Sequence, residues 1–270
     1  MVLPEIKVGA QVEFDGKLTN KIYDDLFSTG FKKVWEWLWH LVSLVPTIFL
    51  PFALINQYSN YILEKNFRKL EDKLENIKEE DFIKVPSEIW VPILENLSYY
   101  DNDLLVDLFT ELLKNAMNKN SLYKVHPRFI KIVENLSEDD ALILQYLSGL
   151  ESWWKCMLPC IDVQLKGWWW YIVIASNLSF IIKDVKLNNF DYGTLYLDNL
   201  KSLWLISISD LEYLTNNQLY DELINYFKWR FETPVSTQDV FDYKKKLLSV
   251  TPLWIEFLRL VFEKNKKRKW

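Results

Sequence analysis

The residue types that most often carry catalysis are sparse in this chain. It contains two histidines, His40 and His126, and two cysteines, Cys156 and Cys160. His40 lies inside an apolar stretch and His126 precedes a proline at a predicted helix start, so we interpret both as structural. No Gly-x-Ser-x-Gly sequence marks a hydrolase nucleophile, and no glycine-rich loop leads into Gly-Lys-Ser or Gly-Lys-Thr to bind phosphate. The sequence predicts no catalytic residue, and we expect a protein that is not an enzyme.

Metal and cofactor chemistry has equally little support. The two cysteines are four residues apart, with no second pair and no histidine nearby, which indicates neither a structural zinc site nor a disulfide framework. Asp101, Asn102, Asp103 and Asp107 are spaced like the start of a calcium loop, but the central glycine and the closing glutamate are missing. We therefore expect no metal and no cofactor.

Composition bounds the architecture and the partners. The chain has 270 residues, half of them apolar, and only six glycines and nine prolines, which favours long helices over a many-turned sheet protein. A net charge of −5 and a pI near 5.3 argue against a broad contact with nucleic acid. The cysteine usage fits a reducing compartment, and the first residues do not have the pattern of a secretory signal, so we expect a cytoplasmic protein.

The most unusual feature of the first quarter is an apolar stretch. Between Glu36 and Glu64 lie 27 residues without Asp, Glu, Lys or Arg, which is long enough for a membrane-spanning helix of about 20 residues. Pro46 and Pro51 each disfavour a straight helix. Three alternatives stay open: a buried hairpin, which we favour, a conditional contact at the surface of the inner membrane, and a constitutive span.

Aromatic residues flank the stretch as they do at membrane interfaces. If it touches lipid, we expect the contact to be made by seven side chains: Trp35, Trp37, Trp39, Phe49, Leu50, Phe52 and Tyr58. The protein would then be peripheral to the inner membrane.

Helical periodicity continues after the stretch. Apolar residues alternate in steps of four and three over residues 63–77, which predicts an amphipathic helix that packs in its own domain, with self-association through its apolar face as the alternative. Pro86 and Pro92 predict a short extended or turn segment between them. Further helices are expected after a cap at Asp101, at His126-Pro127, and after a capping box that begins at Ser137.

The second half has a different character. β-forming residues on both sides of Lys166-Gly167 predict a β-hairpin near residues 160–175. Helices are expected at 194–203, 215–230 and 252–263, and strands at 205–209 and 245–250. The predicted fold is mainly α (α+β), with a helical bundle in residues 1–135, including the apolar segment 37–63, and a winged-helix-like α/β module in residues 136–270. We expect the aromatic residues at 168–171 to pack in the core or at an interface.

The chain also contains a set of short motifs: Lys73-Leu74-Glu75-Asn76-Ile77, Asp103-Leu104-Leu105, Leu112-Leu113-Lys114-Asn115-Ala116-Met117, His126-Pro127-Arg128-Phe129, Leu136-Ser137-Glu138-Asp139-Asp140-Ala141, Pro159-Cys160-Ile161-Asp162-Val163-Gln164, Tyr196-Leu197-Asp198-Asn199-Leu200-Lys201-Ser202-Leu203-Trp204-Leu205-Ile206, and Val250-Thr251-Pro252. Together these motifs resemble the Abi-alpha family of bacterial abortive-infection proteins, a domain of unknown function. The resemblance implies a role in antiphage defence and transfers no catalytic residue.

Three functions remain open at this point. The first is a membrane-directed effector that acts through residues 37–63. The second is a winged-helix-type module that binds DNA, for which the expected reading helix offers only Lys201 as a basic residue. The third is a sensor that binds a phage or host protein through an aromatic surface, which requires that tryptophans cluster on an exposed patch.

Overall fold

A computed structural model of the chain describes residues 56–74, 77–150, 156–231 and 240–262. In order along the chain, the helices are α1 (Asn56–Leu74), α2 (Ser87–Leu97), α3 (Asp103–Ala116), α4 (Pro127–Glu134), α5 (Glu138–Gly149), α6 (Phe180–Asp184), α7 (Gly193–Ser202), α8 (Asn217–Phe231) and α9 (Pro252–Phe262). The strands are β1 (Met157–Lys166), β2 (Tyr171–Ser179), β3 (Ile206–Ser209) and β4 (Val240–Val250). The nine α-helices and four strands of the described residues confirm a mixed α+β fold.

Helices α1 to α5 form a bundle around α3. Helix α3 buries eight of its residues and contacts α1, α2, α4 and α5. The predicted apolar face of α1 is present, since Leu63, Phe67, Leu70 and Leu74 are all buried against this bundle. In the described chain that face is therefore occupied by intramolecular packing, while self-association through residues 63–77 stays a prediction.

Polar contacts fix how α1 lies on its neighbours. The buried Asn66 side chain donates hydrogen bonds of 2.9 Å to the carbonyl oxygen of Leu97, the last residue of α2, and of 2.8 Å to that of Tyr100, three residues beyond it. Such side-chain bonds satisfy carbonyl groups that a helix end leaves without an intrahelical partner. Asn66 thus joins α1 to the end of α2.

The expectation of an extended segment between Pro86 and Pro92 is wrong. Residues Ser87–Leu97 form α2, with Pro92 inside the helix. Proline removes one helical hydrogen bond, but the helix buries Ile89, Ile93 and Leu97 at steps of four residues. Burial of this apolar face outweighs the loss of one bond.

The capping predictions have mixed outcomes. Asn102, not Asp101, caps α3, since its side-chain oxygen accepts from the backbone N–H groups of Leu104 and Leu105. The capping box at Ser137 is confirmed, with the Ser137 hydroxyl and the Asp140 carboxylate each bonded to the other's backbone N–H. Asn and Asp are almost equally favourable as the capping residue of a helix, so the sequence alone does not distinguish Asp101 from Asn102 as the cap.

The second half forms a four-stranded antiparallel sheet with the order β2-β1-β4-β3. Helix α8 packs against β1, and α7 packs against β2 and β3. The hairpin predicted near residues 160–175 is confirmed as the β1–β2 pair. A winged-helix arrangement is not confirmed, because the hairpin is continued by β4 and β3 into a wider curved sheet.

The last helix returns to the first half of the chain. Helix α9 packs against α3 and α5, and the Asn115 side chain of α3 donates a hydrogen bond of 3.1 Å to the Leu260 carbonyl. The ring of Phe257 also lies 5.5 Å from that of Phe129 in α4. The division into domains at residue 135 stays a prediction. Among the described residues, no helix is both long and apolar enough to cross a membrane.

Candidate functional site: an exposed aromatic hairpin tip

The β1–β2 hairpin ends in a run of seven exposed apolar residues. These residues, 168–174, have the sequence Trp-Trp-Trp-Tyr-Ile-Val-Ile, and we call them the hairpin tip. Trp168 is fully exposed and Trp169 is 92% exposed. Soluble proteins rarely expose a continuous apolar surface unless it binds something. The hairpin tip is therefore the candidate functional site.

Both faces of β2 are exposed within the hairpin tip. Side chains of successive strand residues point to opposite faces, and Tyr171, Ile172, Val173 and Ile174 are nevertheless all exposed. Further along the strand, Leu178 and Ser179 are buried under the helices. The tip thus extends beyond the part of the sheet that the helices cover.

A tight turn holds the three tryptophans. The Gly167 N–H donates a hydrogen bond of 2.9 Å to the Trp170 carbonyl, and Lys166 pairs with Tyr171 as the last rung of the ladder. A Cβ atom on residue 167 would lie 2.5 Å from the Trp170 indole, which is closer than real contacts allow. The Trp170 ring lies over the backbone of residue 167, so a larger residue at this position would displace that ring.

The hairpin tip carries a free backbone edge as well as apolar side chains. In the described part of the chain, β2 is an outer strand whose only neighbour is β1. Exposed edge strands are usually protected by lysine, proline or a short length. Here residues 167–182 include no charged residue and no proline.

A buried polar cluster anchors the base of the hairpin. Lys246 of β4 is 5% exposed and lies with its Nζ 3.2 Å from Asp162 Oδ1, 2.8 Å from Asn177 Oδ1 and 3.0 Å from Asp210 Oδ1. Asn177 also donates through its side chain to Asp198 of α7, at 2.6 Å. The cluster joins β1, β2, β4, α7 and the segment after β3.

The cluster depends on an irregularity in the hairpin. The β1–β2 register shifts beside Asp162, and Asn177 has a positive φ of 60°. The Asn177 N–H donates to Asp162 Oδ1 at 2.9 Å, which leaves the Asn177 amide oxygen for Lys246. Asparagine tolerates this backbone region better than most residues, and bulges commonly redirect a side chain in this way.

The charges in the cluster stabilise one another. Burial by itself would lower the pKa of Lys246, but the hydrogen bonds and charges of Asp210 and Asp162 outweigh it and raise the pKa above its ordinary value. The hydrogen bonds from Lys246 and Lys244 hold the pKa of Asp210 below its usual range. The lysine is thus charged, paired and without a free lone pair at neutral pH, which suits a structural anchor.

The acidic residues of the family motifs also have structural contacts. The carboxylate of Asp139 accepts from the backbone N–H groups of Asn188 and Asn189, at 2.7 and 3.3 Å. Asn199 donates to Asp140 at 2.8 Å, which ties α7 to the start of α5. Burial raises the pKa of Asp140 despite these bonds. These motif residues therefore hold the two halves of the chain together.

Trp204 is an exposed aromatic residue outside the hairpin tip, and its backbone has an unusual conformation. It follows α7 at a φ of 63°, and its side chain is 68% exposed. The bonds from the Trp204 N–H to Lys201 and from the Leu205 N–H to Leu200 form the helix-ending pattern that usually has glycine at this position. A bulky residue here is strained.

The other residues considered from the sequence have local roles. His126 caps α4 through its Nδ1, which accepts from the Arg128 N–H at 3.0 Å. Cys156 and Cys160 are free, and burial raises the pKa of their thiols to about 11 and about 12. Asp103 and Asp107 form ion pairs with Lys69 and Lys73 of α1.

A groove of about 340 Å³ lies between α3, α5 and α9. Its charged residues pair with each other, since Lys73 lies 3.3 Å from Asp107 and 3.6 Å from Glu111. The described residues contain no cluster of His, Cys, Asp or Glu suited to a metal ion.

Most of the predicted membrane-contact residues lie outside the described chain. These are Trp35, Trp37, Trp39, Phe49, Leu50 and Phe52. Tyr58 lies in α1, and the end of the apolar segment, Ile62 and Leu63, is buried in the bundle. The sequence predicts that the aromatic residues at 168–171 pack in the core or at an interface. Their exposure excludes the core, and packing at an interface stays a prediction. A continuous apolar run is typical of a buried strand, so the sequence pattern by itself does not indicate this exposure.

Comparison with known proteins supplies the family. One solved structure, of an uncharacterised protein from the marine bacterium Alcanivorax borkumensis SK2, is 16% identical over 49% of this chain and 91% of that chain, with a TM-score of 0.29. No curated protein matches the chain. A family model described as abortive infection alpha matches residues 59–261. That match covers the bundle, the whole sheet and every described element except the first turn of α1 and the end of α9. The chain therefore belongs to the abortive infection alpha family.

Proposed function

We propose that the chain is a non-enzymatic abortive-infection protein that acts by docking through its hairpin tip. Family membership supports a role in abortive infection. The observation that carries the docking role is the exposure of seven consecutive apolar residues at 168–174. Burial of one large side chain contributes about 1.5–3 kcal/mol, so docking of this surface supplies enough free energy for a stable contact.

The anchor beneath the tip supports the same role. The Lys246 cluster fixes Asn177, three residues beyond the end of the tip, against β1, β4 and α7. A binding element built on a rigid strand loses less conformational entropy on binding than a loose loop does. The hairpin tip is therefore presented in a preformed shape.

A DNA-binding role has less support. The exposed surface of α7 offers Lys201, and the nearby Asp198 is engaged with Asn177. Recognition of a DNA groove usually needs several Arg, Lys, Asn or Gln side chains with phosphate-binding neighbours. We keep the prediction that nucleic acid is not the partner.

Plaque formation on bacteria that express the full chain tests the docking role. The variant Trp168→Ser/Trp169→Ser removes the two most exposed side chains of the tip, and we expect it to lose protection while its thermal unfolding stays unchanged. The matched control, Leu211→Ser/Trp229→Ser, removes two apolar side chains that are 92% and 72% exposed elsewhere. Full protection by the tip variant at wild-type protein levels would refute the proposal.

A further inference from the structure

We infer that the hairpin tip docks on the surface of a lipid bilayer and inserts its aromatic side chains at the level of the headgroups. This inference rests on the docking role proposed above and names the partner. The alternatives are a partner protein, a second copy of this chain and another segment of this chain.

Both faces of β2 are apolar in the hairpin tip. When a strand binds to a protein surface, one face contacts the partner and the other commonly stays in water, which favours alternating polarity. Tyr171, Ile172, Val173 and Ile174 show no such alternation, and all four are exposed. A strand with two apolar faces is suited to lipid, which can surround both faces, better than to a protein surface, which covers one.

The end of the hairpin consists of aromatic residues that also carry a polar group. Tryptophan and tyrosine concentrate at membrane interfaces because each combines an apolar ring with a polar N–H or O–H group. Three tryptophans and one tyrosine occupy residues 168–171, at the outermost part of the hairpin. Aliphatic residues follow on the side that leads back to the body of the protein.

The hairpin tip carries no charge. Residues 167–182 contain no charged residue, and Lys166 lies exposed at the base of the turn. No acidic side chain of the tip would therefore have to approach lipid phosphates. A single lysine adds little electrostatic attraction, so aromatic and apolar burial must supply most of the binding.

The length of the exposed strand limits how deeply the hairpin tip can enter the bilayer. Four strand residues extend about 13 Å, whereas a strand needs about 9–11 residues to cross a bilayer. In the described chain the outer edge of β2 also lacks a neighbouring strand. Because unpaired backbone groups are costly in the hydrocarbon core, the tip stops in the interfacial layer, where water still reaches them.

Flotation of the full chain with lipid vesicles tests this inference. We expect binding to phosphatidylcholine vesicles, with a partition coefficient that the Trp168→Ser/Trp169→Ser variant lowers by about a hundredfold or more, as expected for two large side chains that lose burial. The Leu211→Ser/Trp229→Ser control should bind as the wild type does. Adding phosphatidylglycerol should change binding only modestly, and raised salt should not abolish it.

Three outcomes would overturn the inference. The first is absence of vesicle binding by the wild-type chain. The second is binding that requires phosphatidylglycerol and is unchanged in the tip variant, which would assign it to a basic segment. The third is a dimer in vesicle-free solution that the tip variant dissociates, which would assign the tip to a second copy. If vesicles are not bound but the tip variant still loses phage protection, the docking role stands and its partner is a protein.

Discussion

Replacement of Lys246 by methionine should destabilise the fold severely. The Lys246 and Asp162 side chains are 6% and 9% exposed, and their charged atoms lie 3.2 Å apart. Methionine fills a similar volume but leaves the Asp162 carboxylate buried without its cation. Removing one partner of a buried ion pair typically costs about 3–5 kcal/mol. The third participant, Asp210, is about half exposed and adds less than about 1 kcal/mol.

The measurement is the free energy of unfolding from urea titration, followed by far-ultraviolet circular dichroism. The control is Lys244→Met, which breaks the exposed pair between Lys244 and Asp210 and should cost about 1 kcal/mol or less. Lys246→Met combined with Asp162→Asn should recover about half of the loss or more, since the amide oxygen still accepts from the Asn177 N–H.

The pH dependence has a definite sign. The folded state raises the pKa of Lys246, so the stability that its charge contributes is fully present below the unfolded pKa, near 10.5, and is lost as the pH rises through the folded pKa. The difference between the wild type and Lys246→Met should therefore stay constant between pH 7 and pH 9. If Lys246→Met cost no more than Lys244→Met at pH 7, the reasoning about the buried cluster would be refuted.

Three further predictions concern other parts of the chain. Trp204→Gly should stabilise the fold by about 1 kcal/mol in urea titration, because glycine relieves the positive φ and the exposed indole contributes little packing; a loss of stability would contradict this. Ser137→Ala should cost about 1 kcal/mol by the same measurement, because it removes the cap of α5, whereas Ser148→Ala should be almost neutral. Phe49→Asp/Leu50→Asp should abolish protection in the plaque assay with folding retained if residues 37–63 act at the membrane, and retained protection would make that segment dispensable for defence.

Most of the fold that could be predicted from the sequence follows from helical periodicity. The steps of four and three in α1 and the box at Ser137 are local patterns, and both helices form, although α1 spans Asn56–Leu74 instead of residues 63–77. Pro92 was misleading because the rule that proline ends a helix concerns the backbone, whereas the apolar spacing through Ile93 decides whether the helix forms. The β1–β2 hairpin was found from β-forming residues around a glycine.

The candidate site was only partly predictable. The aromatic run at 168–171 was visible, but its exposure depends on where the covering helices end, and no short sequence pattern reports that. The Lys246 cluster was not predicted at all, because its partners Asp162 and Asn177 lie 84 and 69 residues away in sequence. The positive φ of Asn177, which brings them together, likewise depends on the tertiary pairing of β1 with β2.

The return of α9 to the bundle has a consequence for synthesis in the cell. Trp254 and Phe257 are fully buried, and the Leu260 carbonyl receives its hydrogen bond from Asn115 of α3, 145 residues earlier. When α1 to α5 have emerged from the ribosome, α9, which packs against α3 and α5 in the folded chain, has therefore not yet emerged. Until residues 252–262 leave the exit tunnel, the nascent chain exposes part of its core. An interrupted translation product lacks a completed bundle, so the cell makes the finished fold only together with the last helix.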